Sequence, residues 1–132
     1  MAESILWDDT FLVGLEEIDK QHKELFDLYN GLLSAHEAGD ETIVSHAFEE
    51  MANYLDQHFS TEEEFWRRDD TIYHAHRTLH FDFVKYVLHT TASGSDLAAL
   101  GSLLDFLSGW LLDHVLTVDK VQFQELRDKG LL

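Results

Sequence analysis

Five of the nine histidines in this chain stand where apolar residues belong. His22, His58, His76, His80 and His114 each continue the apolar stripe of a segment with helical periodicity, and Glu62 does the same. One histidine on such a stripe is explained by a single buried hydrogen bond. Five of them, spread over four segments and joined by a carboxylate, would each need a separate partner. An unpaired buried polar group costs about 1–3 kcal/mol, and a shared metal satisfies all of them together. The spacings agree. His58-x-x-x-Glu62 and His76-x-x-x-His80 are i, i+4 pairs, about 40° apart around a helix and one turn apart in height. Both side chains of a pair can therefore reach one metal or two adjacent metals. Imidazole with carboxylate is a borderline donor set, suited to iron, zinc, copper or nickel. Asp119 has two readings. It follows His114 at i, i+5, about 140° away on a regular helix. Either the helix breaks or widens near Leu116–Val118 and swings Asp119 inward as a ligand, or Asp119 caps the helix that follows.

The elements that must carry these residues follow from the same stepping. Ile18, His22, Leu25, Tyr29, Leu32 and His36 mark a first helix, stopped by Gly39, with Asp40 as the next N-cap. Val44, Phe48, Met51, Leu55, His58, Glu62 and Phe65 mark a second, with Arg67 and Arg68 at its C-terminus and Asp69 or Asp70 capping the next. Tyr73, His76, His80, Phe83 and Val87 mark a third, and Thr90 to Ser95 read as a small-polar loop. Leu97, Leu100, Leu104, Leu107, Leu111 and His114 mark a fourth, and a short tail helix from Lys120 to Lys129 ends at Gly130. Before them lies a non-helical arm anchored by Ile5, Leu6, Trp7, Phe11, Leu12 and Val13. The four main helices are expected to run about 18–25 residues each. Short loops favour antiparallel neighbours, so the predicted fold is all-α: an up-down-up-down four-helix bundle, one domain over residues 1–132.

Composition narrows the chemistry further. At 132 residues and 45% apolar content the chain can bury one core. Nine basic against 26 acidic residues give a net charge of −17, which argues against nucleic acid or an anionic membrane as partner and suits a bound cation. With no cysteine, thiolate zinc sites, iron–sulfur clusters, disulfides and cysteine nucleophiles are excluded. No apolar run approaches the ~20 residues that span a bilayer, and Met1 to Asp9 lack the basic start and apolar stretch of a signal peptide. A cytoplasmic protein is the expectation.

The motifs in order resemble those of the bacterial hemerythrins, over nearly the whole chain. Trp7, Phe11-x-Val13-Gly14 and Ile18-Asp19-Lys20-Gln21-His22 are similar to the family's opening. His58-Phe59-Ser60-Thr61-Glu62-Glu63 resembles its H-x-x-x-E element and His76-Arg77-Thr78-Leu79-His80 its H-x-x-x-H. Trp110-Leu111-x-x-His114-x-x-x-x-Asp119 resembles its last motif, so the resemblance favours Asp119 as a ligand. The chain departs in having no proline, which many relatives carry before the H-x-x-x-H helix. That departure touches helix entry, not ligation. The resemblance implies two iron ions per chain, joined by a bridging oxide or hydroxide, that bind dioxygen reversibly for storage, delivery or sensing. It implies that His76, His80 and His114 hold one iron, that His22 and His58 hold the other, and that Glu62 and Asp119 bridge. Of the twelve positions around two six-coordinate ions, these groups fill eleven and leave one for a small ligand.

The implied activity is binding, with no catalytic residue assigned. The alternatives are a di-iron oxidase or a peroxide- or nitric-oxide-reactive enzyme, and a metal-binding sensory module. A histidine-rich set favours binding over oxygen activation, for which ferritin-like centres use more carboxylates. Their repeated Glu-x-x-His does not occur in this chain. Phe26, Leu55, Phe59, Trp110 and Leu111 lie about one turn from the ligands and are candidates to line an oxygen pocket. Leu111 leads, because its position lines that pocket in the family. Glu49, Glu50, Glu63 and Glu64 read as solvated faces, His46 and His89 as surface residues. His74 faces away from His76 and His80, and His36 is about four turns from His22.

Overall fold

The computed structural model describes residues 4–92 and 97–132, without the side chains of residues 88–92 and 99. Its helices are α1 (Glu16–Ala38), α2 (Glu41–Trp66), α3 (Asp70–Ala92), α4 (Leu97–Asp113) and α5 (Lys120–Asp128). A one-turn 3-10 helix (Asp9–Phe11) precedes them, and a π-helical turn (His114–Asp119) joins α4 to α5. Among the described residues there is no strand. The main helices pack in the order α1–α2–α3–α4, with α4 returning to α1, which is the expected four-helix bundle. No helix among the described residues is long and apolar enough to cross a membrane.

Local chemistry sets the boundaries. Gly39 ends α1 in a left-handed conformation at φ 80°, which glycine adopts without the steric cost of a Cβ. The Asp40 carboxylate accepts from the Ile43 amide at 3.1 Å and starts α2. Asp69 does the same for α3 through the Ile72 amide, at 3.1 Å. The α3 helix continues through Ala92, so Thr90–Ala92 are helical where a loop was expected; the rest of that loop lies outside the described residues. Helix lengths also differ from the expected range, with α2 at 26 residues and α4 at 17. The α4 count stops where the π turn begins, although the chain stays helical through it into α5.

The arm is held by paired polar contacts. Ile5 donates its amide to Asn30 Oδ1 and accepts from Asn30 Nδ2, each at 2.8 Å. The Asp19 carboxylate accepts from the Val13 and Gly14 amides at 2.7 and 3.2 Å. Gly14 lies at φ 88°, and a Cβ there would collide with the Arg127 guanidinium, which donates to the Val13 carbonyl. Ile5, Phe11 and Val13 are buried, whereas Leu6 and Leu12 face outward. In an irregular arm neighbouring side chains point to different sides, so the two leucines do not anchor it as expected.

The apolar core is split in two. The larger cluster holds Leu25, Phe26, Leu55, Phe59, Phe83, Leu107, Leu111 and Val115. The smaller holds Val13, Ile18, Trp66, Ile72, Phe123 and Leu126. Along the helices most candidate ligands fall between the two: His22 between Ile18 and Phe26, Glu62 between Phe59 and Trp66, His76 between Ile72 and Phe83, Asp119 between Val115 and Phe123; His58 and His114 sit at the edge of the larger cluster, next to Leu55 and Phe59 and to Leu111 and Val115. The polar residues form a layer sealed by apolar packing on both sides.

Candidate metal centre

All seven residues of that layer, His22, His58, Glu62, His76, His80, His114 and Asp119, are at most 4% exposed. Helix α1 supplies His22; α2 supplies His58 and Glu62; α3 supplies His76 and His80; the π turn supplies His114 and Asp119. The turn resolves the i, i+5 problem. A π turn takes up one extra residue, so both of its ends face the core. Asp119 makes no capping hydrogen bond to α5, which removes the capping reading.

Three overlapping donor groups emerge, and they share their carboxylates: His22, His58, Glu62 and Asp119; Glu62, His80 and His114; and His76, His114 and Asp119. Asp119 turns Oδ2 to His22 Nε2 at 3.0 Å. Its Oδ1 faces His114 Nε2 at 3.0 Å and His76 Nε2 at 3.2 Å. Glu62 Oε1 stands 2.9 Å from His58 Nε2, 3.7 Å from His80 Nε2 and 3.8 Å from His114 Nε2, while Oε2 stands 3.6 Å from His22 Nε2. Donors about 2.1 Å from one ion lie about 3 Å apart when adjacent, and these spacings are of that order.

The residues fit a metal on their own chemistry. His22 Nε2, His58 Nε2, both Glu62 oxygens and Asp119 Oδ2 are buried without a hydrogen-bond partner among the described residues. Such atoms are costly unless a ligand takes them up. Burial pulls His22 and His114 down, but the adjacent Asp119 and Glu62 carboxylates outweigh it and raise them to about 9 and about 10. Burial pushes His80 down to about 3, with Glu62 relieving it only in part. For Asp119, burial and the Glu62 charge act upward, yet His114 and His22 prevail and hold it at about 2. Glu62, also opposed by burial, is held well below the usual carboxylate range by His58, His114 and His22. The carboxylates favour protons on the imidazoles they face, and an incoming divalent cation would replace those protons.

Aromatic rings line the layer. Phe59 stacks on His80 with centroids 3.7 Å apart, and Trp110 on His114 at 4.4 Å. Trp66 stacks on His76 and is fully buried. Trp66 was not among the expected pocket residues, although it lies one turn after Glu62, a spacing that could have found it. Leu111, Phe26 and Leu55 are buried in the larger cluster, and Trp110 is half-buried against it. Phe26 meets Trp7 and Phe11 edge-on at 5.3 and 4.8 Å, which ties the arm to the turn after His22. Clefts of about 230 Å³ between α2 and α3 are lined by Leu55 and Phe83 in one case, Phe59 and His80 in the other. A cleft of about 590 Å³ at Leu12, Leu116 and Val121 includes none of the seven.

The other histidines stay outside the layer. His46 and His74 are exposed. His36 Nε2 is 2.6 Å from the Leu97 carbonyl, tying α1 to α4. The side chain of His89 lies outside the described residues.

Comparison with known proteins agrees with this geometry. The family model "Hemerythrin HHE cation binding domain" matches residues 13–126. A bacteriohemerythrin of Stenotrophomonas maltophilia is 26% identical over 127 residues, covering 93% of this chain and 82% of that protein. One of Pseudomonas aeruginosa is 28% identical over 117 residues, 84% of this chain and 74% of its own. A myohemerythrin of Theromyzon tessulatum is 27% identical over 120 residues, 90% and 91% of the two chains. With the match spanning all four main helices and the whole polar layer, the chain belongs to the hemerythrin family.

Proposed function

We propose that this protein binds dioxygen reversibly at a pair of iron ions held by the buried polar layer. The observation that carries the reading is the set of overlapping donor groups that share Glu62 and Asp119, two of them also joined through His114. In it, His76, His80 and His114 hold one ion, and His22 and His58 hold the other. Glu62 and Asp119 would be shared by both ions, with an oxide or hydroxide between them. The His22 and His58 side has one histidine fewer, so a small ligand would enter there. Ferrous iron, when bound, would supply the electrons that dioxygen binding needs. The chain's own residues do the rest. Five imidazoles and only two carboxylates favour reversible binding over oxygen activation. Phe26 and Leu111 seal the layer on one side and Trp66 on the other, which keeps bulk water from the open position.

Metal analysis tests the stoichiometry. Anaerobic loading with ferrous iron followed by desalting is expected to leave two irons per folded chain, and Glu62→Ala and Asp119→Ala are each expected to lose the pair. One retained iron per chain in the wild type would overturn the reading.

A further inference from the structure

His58 differs from His22, His76 and His80 in what stands behind it. The Nδ1 atoms of His22, His76 and His80 are buried without a hydrogen-bond partner among the described residues, and the carboxylate nearest His80 Nδ1 is Glu63, at 3.9 Å. His58 Nδ1 instead lies 2.7 Å from Gln21 Oε1. The two residues are 37 positions apart in sequence, on facing helices α1 and α2.

The amide is itself held. Gln21 Nε2 donates to Thr61 Oγ1 at 3.3 Å, and the Thr61 hydroxyl donates to the Gln57 carbonyl at 3.1 Å. A threonine hydroxyl has one proton. With that proton spent on Gln57, Thr61 meets Gln21 as an acceptor and draws the NH2 side of the amide. The carbonyl side then faces His58. A carbonyl oxygen only accepts, so His58 Nδ1 must carry the proton. That leaves Nε2 as the nitrogen available to a metal; it points into the layer, 2.9 Å from Glu62 Oε1.

We propose that Gln21 is a positioning residue: anchored by Thr61, it locks His58 in the tautomer and ring orientation that present Nε2 to the metal. The effect on iron rests on the assignment of His58 to the ion with the open position. A neutral amide does this without adding charge behind the ligand. Ligand histidines are commonly oriented through their second nitrogen, and loss of that partner typically weakens metal binding 10–100-fold. Because α1 supplies both His22 and the residue that orients His58, seating of α1 against α2 sets both histidines of that ion.

The test compares wild type, Gln21→Leu, Gln21→Glu and Thr61→Val. Thr61→Val keeps the β-branched shape and removes only the hydroxyl. The first readout is anaerobic removal of ferrous iron by a competing chelator. In Gln21→Leu one of the two irons should leave at a chelator concentration about 10–100-fold lower than in wild type, while the other is held as in wild type. Gln21→Glu, which restores an acceptor, should regain the retention, and Thr61→Val should fall between. The second readout is nitrogen-detected NMR of the His58 ring in metal-free protein at mildly alkaline pH. The wild-type ring should show an Nδ1–H proton held in a hydrogen bond to Gln21, and Gln21→Leu should lose that hydrogen bond.

Wild-type retention of both irons in Gln21→Leu, or a wild-type ring without the Nδ1–H hydrogen bond, overturns the proposal. If Gln21→Leu does not fold, Thr61→Val decides by the same two criteria. A wild-type protein that never holds two irons would sink the di-iron reading instead, and the Nδ1–H measurement would still decide the role of Gln21.

Discussion

At the scale of single residues, the strongest sequence signal was a mismatch between residue type and position. A histidine on an apolar stripe is conspicuous because helical periodicity alone says it is buried. The structure buries all five, with Glu62 and Asp119 among them. Contacts that depend on how two helices meet were not legible in the same way. Gln21 behind His58, and the ring of Trp66 against His76, are set by tertiary packing that no local period reveals. Leu6 and Leu12 show the reverse error: apolar character suggested anchors, but without a helical period nothing fixed which side they face. Leu111 belongs at this scale as well. It is fully buried, three residues before His114, in the cluster that seals the layer. Leu111→Ala is expected to cost about 2–5 kcal/mol of stability, read from chemical unfolding. It should retain both irons while admitting water to the open position, so the ferrous protein should oxidise irreversibly in air faster than wild type. An unchanged oxidation rate would reduce Leu111 to core packing.

At the scale of elements, the stops and starts at Gly39, Asp40 and Asp69 were readable because capping is local chemistry. The i, i+5 spacing of His114 and Asp119 signalled that the last helix could not be regular. Of the two expected irregularities, a break or a widening, the structure shows the widening, as a π turn. That turn is a register device. Each helical residue rotates the chain by about 100°, and everything beyond the turn, including buried Phe123 and Leu126, depends on the extra residue being absorbed. Inserting one alanine between Thr117 and Val118 should swing Asp119, Phe123 and Leu126 off the buried face. The expected loss is about 3 kcal/mol or more, a fall in Tm of about 10 °C or more, together with loss of the iron pair. Deleting Thr117 leaves His114 and Asp119 at i, i+4 on a regular helix and keeps the same face inward. That variant should unfold within a few degrees of wild type. Thermal unfolding followed by circular dichroism decides between them, and a deletion as damaging as the insertion would contradict the register account.

At the scale of the whole molecule, the bundle is two apolar clusters with a polar layer between them. The four-helix architecture was legible from the stripes and short loops. The division of the core was not, because the stripe of each helix reads as continuous until the ligand histidines are recognised as one stratum. That division places the donor sets in apolar surroundings, where electrostatic interactions are strong and water is scarce. Among the described residues, Glu62 and Asp119 are the only buried carboxylates. The central claim is that this stratum holds an iron pair for reversible dioxygen binding. Its most direct test is the visible spectrum of iron-loaded protein, reduced without oxygen, then exposed to air, then returned to an inert atmosphere. The account predicts a nearly colourless reduced protein, a visible band on exposure, and loss of that band when oxygen is removed, over repeated cycles. A band that persists after oxygen is removed, with the iron left oxidised after a single exposure, would contradict it.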